Sequence, residues 1–233
     1  MKTVAALSLF TLVGCSSSPG AAEPVGVAMR AVAARSTPQG TPQTLDLVGS
    51  LVEVGSAVAN VERIDFSLPD GVRCADLDPT TLGEGVRCDD LDTLRIGEPR
   101  RFDLVTGIAD PPLDAAVVPA LPYRRVEVRF AEADSDPVLG EDTIAADLTV
   151  DGAPVSMRLR FSEDARFESS DGIPVEDGAQ ALLLLDADAW FAGVDLAACG
   201  EAGGIVDEDA DGACDLEGEV RDAIEASAEL SSS

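Results

Sequence analysis

Alternation of hydrophobic and polar residues is the dominant pattern in the middle of the chain. It runs through residues 64–68, 126–130, 144–150 and 155–161. A period of two places apolar side chains on one face of a β-strand and polar side chains on the other. Each of these runs is therefore predicted to be a strand with one buried and one solvated face.

Turn signals between the runs indicate how the strands are connected. Asp151-Gly152 separates the last two runs and is typical of a tight hairpin, while Pro154 favours a slightly longer loop. Weaker strand patterns cover residues 25–33, 47–54 and 102–106. Many strands of this kind, separated by Gly, Pro and Asp, predict a mostly β fold, specifically an antiparallel β-sandwich.

Helical signals are confined to the C-terminal part of the chain. Residues 187–193 predict one or two helical turns that end at Gly193. Residues 219–230 are rich in Ala and Glu, which favours a helix, but their apolar residues also alternate, which favours a strand. We expect one or two short helices near the C-terminus, with residues 219–230 open between helix and strand.

The N-terminus has the features of an export signal. Lys2 precedes an apolar stretch at residues 4–13, which is shorter than the roughly 20 residues needed to span a bilayer. Leu12-Val13-Gly14-Cys15 resembles the lipobox of bacterial lipoproteins. The resemblance implies that residues 1–14 are removed and that Cys15 is lipidated. Residues 15–24 would then form a lipidated tether, and residues 25–233 a single β-sandwich domain.

This resemblance also implies a location. Several acyl chains hold a soluble domain on a membrane without a transmembrane helix. In lipoproteins of two-membrane bacteria, a residue other than Asp after the lipidated Cys accompanies sorting to the outer membrane, and Ser16 occupies that position. We expect an outer-membrane lipoprotein that faces the periplasm or the cell surface. The alternative is a soluble secreted protein with a chance cysteine near its cleavage site.

Composition excludes several functions. The 233 residues carry a formal charge of −28, which argues against nucleic acid as a partner because phosphate recognition needs a basic field. There is no histidine, so Ser-His-Asp triads, Cys-His pairs and imidazole-ligated zinc are excluded. Neither a Gly-rich phosphate loop nor a G-x-S-x-G elbow is present. No enzyme activity is predicted.

The cysteines other than Cys15 form an even set: Cys74, Cys88, Cys199 and Cys214. In an exported chain such a set predicts disulfides. Three connectivities are open, and the pairing of 74 with 88 and of 199 with 214 is favoured because each encloses a short, turn-rich ring. A four-thiolate metal site is the alternative, although the paired C-x-x-C spacing of such sites is missing.

The first of these rings contains an internal repeat. The sequence GVRCADLD at 71–78 recurs as GVRCDDLD at 85–92. Two short copies are too few for a solenoid. They predict a surface loop closed by a disulfide, an excursion from the sheet with acidic residues along its rim. The alternative is a second cation site made by Asp76, Asp78, Asp90 and Asp92.

An acidic segment near the C-terminus is the most specific local pattern. Within residues 199–219, the sequence DEDADGACD at 207–215 resembles the calcium loops of EF-hands, dockerins and thrombospondin type 3 repeats. Alternating carboxylates on a tight loop can supply the 6 to 8 oxygens that calcium takes. The candidate ligands are Asp207, Asp209, Asp211 and Asp215. The bidentate Glu of an EF-hand would fall on Gly218, so the sequence predicts a structural calcium site rather than an EF-hand, or else a solvated acidic loop.

Two further patterns bear on function. Trp190 lies near three acids in the sequence, Asp186, Asp188 and Asp195, which allows a carboxylate-based glycan hydrolase or a carbohydrate-binding protein. The alternative is that Trp190 belongs to an apolar face closing the sandwich.

Six arginines are concentrated between 124 and 166: Arg124, Arg125, Arg129, Arg158, Arg160 and Arg166. These predict cross-strand ion pairs with Glu127, Asp147 and Asp151, or a site for an anion or acidic glycan. The sequence as a whole predicts a lipid-anchored extracytoplasmic protein with a binding or structural role, with an unidentified protein or glycan ligand.

Overall fold

The computed structural model describes residues 24–31, 43–47, 50–113, 116–174, 180–185, 190, 196, 205–206, 217–226 and 228–232. Within them the fold is mostly β, with several antiparallel ladders and one α-helix near the C-terminus. The predicted mostly β fold class is confirmed, and the arrangement is consistent with a β-sandwich.

Strands make up most of the described elements. They are β1 (Pro24–Ala31), β2 (Gln43–Leu47), β3 (Ser50–Ser67), β4 (Val86–Asp90), β5 (Thr93–Ile96), β6 (Arg100–Asp103), β7 (Ile108–Asp110), β8 (Val117–Pro119), β9 (Pro122–Phe130), β10 (Ile144–Val150), β11 (Ala153–Leu159), β12 (Glu163–Pro174), β13 (Gln180–Leu185), β14 (Ile205–Val206) and β15 (Ala228–Ser232). The helix is α1 (Glu217–Ala226), and short 3₁₀ turns cover Cys74–Asp76 and Pro79–Thr81.

The described strands form two sheets. The smaller has four strands in the order β15-β13-β1-β8, and the larger has eleven, with β12-β9-β3-β10-β11-β14 as its main path. Most ladders are antiparallel, as predicted, but β1 pairs with β13 and β11 pairs with β14 in parallel. The first and last described strands, β1 and β15, therefore both flank β13 in the small sheet.

Strand β3 organises the large sheet and contains two bulges. One extra residue, Gly55, lies opposite the step from Asp147 to Leu148, and a second, Glu62, lies opposite β9. Each bulge changes which residues face the core, because an inserted residue reverses the alternation. At Gly55 an added Cβ would lie 3.2 Å from the carbonyl oxygen of Asp147, so a side chain there would crowd the neighbouring strand.

The pairing register shows a corner in β3. Strand β6 pairs with residues 58–61, while β10 pairs as far as Ala59 and β9 begins at Val61. Because β6 occupies one edge of this segment, β10 and β9 must follow one another along the other edge. The strand thus leaves one partner and joins the next at Asn60, as strands do where a sandwich turns a corner.

Buried polar groups secure this corner. The Asn60 amide donates to the carbonyl oxygens of Ala131 at 3.0 Å and Glu132 at 3.2 Å, and its backbone N–H donates to Thr143 at 2.8 Å. The Thr143 hydroxyl donates to the Phe161 carbonyl at 2.6 Å and accepts from the Phe161 N–H at 3.0 Å. Unpaired backbone groups would be costly in the interior, so these side chains complete the bonding that the ladder interrupts.

One continuous hydrophobic core lies behind both parts of β3, built mainly from Val, Leu, Ile and Ala with a few aromatic rings. Trp190 is 1% exposed and packs edge-on against Phe130, with ring centroids 5.5 Å apart. Helix α1 contributes Val220 and Ile224, one turn apart and fully buried. The buried position of Trp190 confirms that it belongs to an apolar face of the fold.

The predicted strands at 126–130 and 144–150 are present within β9 and β10. The strand predicted at 64–68 stops at Ser67, the end of β3, and the one predicted at 155–161 stops at Leu159, the end of β11. The strand predicted over 47–54 is present from Ser50 as the start of β3, but Leu47 belongs to β2, which pairs antiparallel with β3. The strand predicted over 102–106 ends at Asp103, whose carboxylate accepts the N–H groups of Val105 and Thr106. Residues 219–230 contain both alternatives, since α1 ends at Ala226 and β15 begins at Ala228.

The hairpin between β10 and β11 was predicted at the correct dipeptide but with the wrong length. Val150 pairs with Ala153 and Thr149 with Pro154, so the loop contains only Asp151 and Gly152. Both residues have positive φ, 49° and 85°, as expected for the turn that fits strand twist best. Pro154 is accommodated within the ladder.

Candidate functional site

A disulfide joins Cys74 to Cys88, with Cα atoms 5.8 Å apart, within the normal range for such bonds. This part of the predicted pairing is confirmed. It links the 3₁₀ turn at Cys74–Asp76 to the edge strand β4. Cys199 and Cys214, the other predicted pair, lie outside the described residues.

The two copies of the internal repeat begin with the same turn. Val72 donates to the Pro69 carbonyl, and Val86 donates to the Gly83 carbonyl. In each turn the third residue is glycine with positive φ, 82° at Gly71 and 76° at Gly85, a conformation that glycine adopts without steric cost. The copies then diverge, because the first enters a 3₁₀ turn and the second enters β4.

A cleft of about 460 Å³ lies beside the disulfide. One wall is the turn at residues 69–73 and the other is the β4–β5 hairpin tip at residues 90–92, with Arg124 of β9 between them. Two backbone hydrogen bonds of 2.8 Å hold the walls together, from Leu68 to the Asp92 carbonyl and from Cys74 to the Leu91 carbonyl. The cleft is therefore built on a cross-linked frame.

Arg124 is held firmly at the cleft. Its Nε donates to the Leu68 carbonyl at 2.7 Å, and its guanidinium also contacts the carboxylates of Asp92 and Asp70, the latter at 3.4 Å. The Asp70 side chain is 93% exposed. The positive charge of Arg124 is thus already neutralised.

The repeat acids do not converge on one point. Asp76 accepts the Arg73 N–H and Asp90 accepts the Leu91 N–H, while Asp92 contacts Arg124. Asp78 accepts the N–H and hydroxyl of Thr80, and the backbone hydrogen bond lowers the pKa of this carboxyl. Among the side chains that the structure describes, no three acidic or cysteine residues form a group able to hold a metal ion.

Ion pairs cover the solvent face of β5, β3, β9 and β12. They form one connected chain in which arginines and acids alternate: Asp89, Arg95, Asp65, Arg63, Glu62, Arg129, Asp164, Arg166, Glu127, Arg125 and Glu168. The predicted cross-strand pairing is therefore present, and Arg158 also lies 3.7 Å from Asp147. Asp151 instead accepts the N–H of Leu51 at 2.9 Å.

Asp65 is, together with Asp164, the most enclosed carboxylate in this chain of ion pairs. It accepts two hydrogen bonds from Arg95, at 2.6 and 2.9 Å, and one from Arg63 at 3.0 Å. Burial acts to raise the pKa of Asp65, but the hydrogen bonds from the two guanidinium groups outweigh it and hold the pKa below its ordinary value. The same bond to Asp65 raises the pKa of Arg95. The arrangement favours the charged form of both residues.

Sequence reasoning missed some members of this face. Arg63 and Arg95 were not among the six concentrated arginines, although both join the ion pairs. The available signal for Arg95 was its place in the short alternation at 93–96. Arg63 was hidden because the bulge at Glu62 shifts its alternation relative to the preceding residues.

Two arginines differ from the others. Of the thirteen arginines whose side chains the structure describes, only Arg73 and Arg87 form no ion pair. They occupy equivalent positions of the repeat, each immediately before a disulfide cysteine, and both are exposed. Arg73 lines the cleft, whereas Arg87 does not.

Several predicted sites lie outside the described residues. These are the lipidation site Cys15 with residues 1–14, the calcium ligands Asp207, Asp209, Asp211 and Asp215, and the hydrolase acids Asp186, Asp188 and Asp195. Trp190 is described and is enclosed by the core, so its ring is not available to stack on a sugar. No helix in the described part of the chain is both long and apolar enough to cross a membrane.

Comparison with known proteins gives no family assignment. No family model, curated protein sequence or solved structure matches this chain.

Proposed function

We propose that this protein is a lipid-anchored, extracytoplasmic envelope lipoprotein with a binding or structural role. The observation that carries the proposal is the Cys74–Cys88 disulfide, because such bonds persist mainly in oxidising compartments. It agrees with the signal-like residues 1–14 and the lipobox that ends at Cys15. Export to the outer membrane, facing the periplasm or the cell surface, accounts for both features.

The anchor is tested by fractionation. Cys15→Ala should release the protein from membranes into the soluble fraction, since the acyl chains provide the attachment. Ser16→Ala, which changes the adjacent residue and leaves the cysteine, is the matched control and should stay membrane-bound. Retention of Cys15→Ala on membranes would refute the lipid anchor.

A structural calcium ion is part of the proposal and rests on the spacing of Asp207, Asp209, Asp211 and Asp215. A chelator should lower the melting temperature of the wild type, because a ligand that binds the folded state stabilises it. Asp209→Asn should remove this sensitivity. Asp134→Asn, at an exposed acid outside the loop, should retain it. A melting temperature that no chelator changes contradicts the calcium site.

A binding role is favoured over catalysis by the way the described charges are used. The carboxylates on the ion-paired face are occupied by arginines. In the repeat, Asp76 and Asp78 accept local hydrogen bonds and Asp92 pairs with Arg124, while Asp90 accepts only the Leu91 N–H. The cleft beside the disulfide is a preformed concave surface on a cross-linked frame, which suits recognition of a ligand.

A further inference from the structure

The cleft beside the disulfide presents two charged groups that are not engaged in ion pairs. The Arg73 guanidinium lies on the turn that forms one wall and has no acidic partner. On the opposite wall, Asp90 makes only a local hydrogen bond, from the Leu91 N–H at 3.0 Å. The cleft therefore presents one unpaired positive charge on the first wall and one unpaired negative charge on the second, with Arg124, which is paired to Asp70 and Asp92, between them.

Apolar surface completes the lining. Pro69 and Val72 contribute to the first wall and Leu91 to the second. Leu91 is 72% exposed, the largest exposed fraction of any large hydrophobic residue that the structure describes. It sits at a hairpin tip that the disulfide and the two backbone bonds hold in place. A ligand that covered Leu91 would gain from removing this apolar surface from water.

The charges around the cleft determine whether an anion, a cation or a dipolar molecule fits it best. A simple anion would be repelled by the −28 charge of the chain and by the nearby Asp70 and Asp90. A simple cation would meet the unpaired Arg73. A neutral dipolar molecule avoids both penalties, because its carboxylate can pair with Arg73 while its ammonium pairs with Asp90.

We infer that this cleft binds a short apolar peptide in its zwitterionic form, through its terminal ammonium and carboxylate groups. The inference deepens the binding role proposed above and rests on it. A volume of about 460 Å³ lies within the range of small-molecule sites. Aliphatic side chains of the peptide would cover Leu91 and Val72, while Arg73 and Asp90 fix the orientation of its two termini.

The repeat supplies a matched control for the test. Arg73 and Arg87 both precede a disulfide cysteine, both are exposed and neither forms an ion pair, but only Arg73 lines the cleft. Binding of leucyl-leucine to the full mature protein in detergent is measured by equilibrium dialysis. Arg73→Gln and Asp90→Asn should each weaken binding about tenfold or more, as expected for loss of a charged hydrogen bond. Arg87→Gln should leave it unchanged.

Blocked peptides test the dipolar requirement. Acetyl-leucyl-leucine lacks the ammonium and leucyl-leucinamide lacks the carboxylate, so both should bind at least about tenfold more weakly than leucyl-leucine. Equal binding of the three peptides, equal loss in Arg73→Gln and Arg87→Gln, or no binding to the wild type would each overturn the inference. Unchanged melting temperatures of the variants exclude misfolding as the cause of a loss.

The proposed lipid anchor and the proposed peptide binding by the cleft can be refuted independently of each other. Cys15→Ala protein recovered from the soluble fraction should bind leucyl-leucine as the wild type does, since the cleft lies in the folded domain. A soluble wild type that binds the peptide would refute the lipid anchor alone. An anchored wild type that does not bind it would refute the cleft alone.

Discussion

Removing the Cys74–Cys88 bond should measurably destabilise the protein. The two cysteines are 14 residues apart, and closing a ring of about 15 residues is worth about 3 kcal/mol in the chain-entropy model. Hydrophobic burial within the ring would offset little of this loss of stability, since Cys74 is its only buried residue. We therefore expect the double variant Cys74→Ala/Cys88→Ala to lose about 3 kcal/mol of unfolding free energy.

The assay is thermal and urea unfolding of wild type and double variant. For a chain of this size, about 3 kcal/mol corresponds to a lower melting temperature of about 6–12 °C. The comparison should be made in a background with Cys199→Ala and Cys214→Ala, so that any second disulfide does not contribute. Reductant should lower the melting temperature of the parent in this background and leave the double variant unchanged.

Two results would refute this reasoning. If the reduced and oxidised parent unfold at the same temperature, the bond does not constrain the unfolded chain as calculated. If mass mapping of untreated protein finds free thiols at both positions, the bond does not form in the cell, and the main support for export is lost.

Four further outcomes follow from the structure. Asp65→Asn should lower the free energy of unfolding at neutral pH and make unfolding less sensitive to acid. Folding lowers the pKa of the Asp65 carboxyl, so this group contributes stability above its unfolded pKa and loses that contribution as the pH falls through its folded pKa. Identical acid titrations of the two proteins would contradict this. Raising NaCl from 0.01 to 1 M shortens the screening length from about 30 to 3 Å and should raise the melting temperature by relieving repulsion among the excess acids; a steady fall with salt would contradict it. Gly152→Ala should cost about 1–2 kcal/mol in urea unfolding because φ is 85° there, and no loss would argue against the two-residue turn. Trp190→Ala should cost about 3–5 kcal/mol through lost packing on Phe130, and a near-neutral effect would place Trp190 outside the core.

The sequence predicted strands well where alternation is unbroken and poorly where bulges interrupt it. Strand β10 coincides with its predicted run because Ile144, Ala146, Leu148 and Val150 all lie in the core and β10 itself contains no inserted residue. Strand β3 is 18 residues long, but the extra residues at Gly55 and Glu62 reverse its alternation twice. Only its last part was recognised as a clear strand. Pairing across the sheet decides where a bulge lies, and a single sequence does not contain that information.

The same limit applies to the C-terminal segment. Ala and Glu content favoured a helix over 219–230, and alternation favoured a strand. The chain satisfies both, since α1 buries Val220 and Ile224 and β15 then pairs with the edge of β13. Local propensity indicated each state correctly, but the position of the change depends on β13, which lies far away in sequence.

The candidate cleft was only partly visible in the sequence. Cysteine counting and the repeat predicted a stapled, acid-rimmed excursion, and the disulfide is present. Arg124 belongs to β9, 32 residues beyond Asp92 at the end of the repeat, and reaches the cleft only because β9 pairs with β3. The contrast between Arg73 and Arg87 was equally hidden, since both arginines lie in the same four-residue sequence, GVRC, and differ in the structure that surrounds them.

The position of the disulfide follows from where hydrophobic burial is weakest. Between residues 69 and 92 only Cys74 is buried, while Val72, Leu77, Leu82 and Val86 are partly exposed. Such a segment gains too little apolar burial to offset its conformational entropy. A covalent link reduces that entropy in the unfolded chain instead. The excursion can then hold charged and apolar groups at a fixed surface position without a core of its own, which is the property that a binding cleft at this site requires.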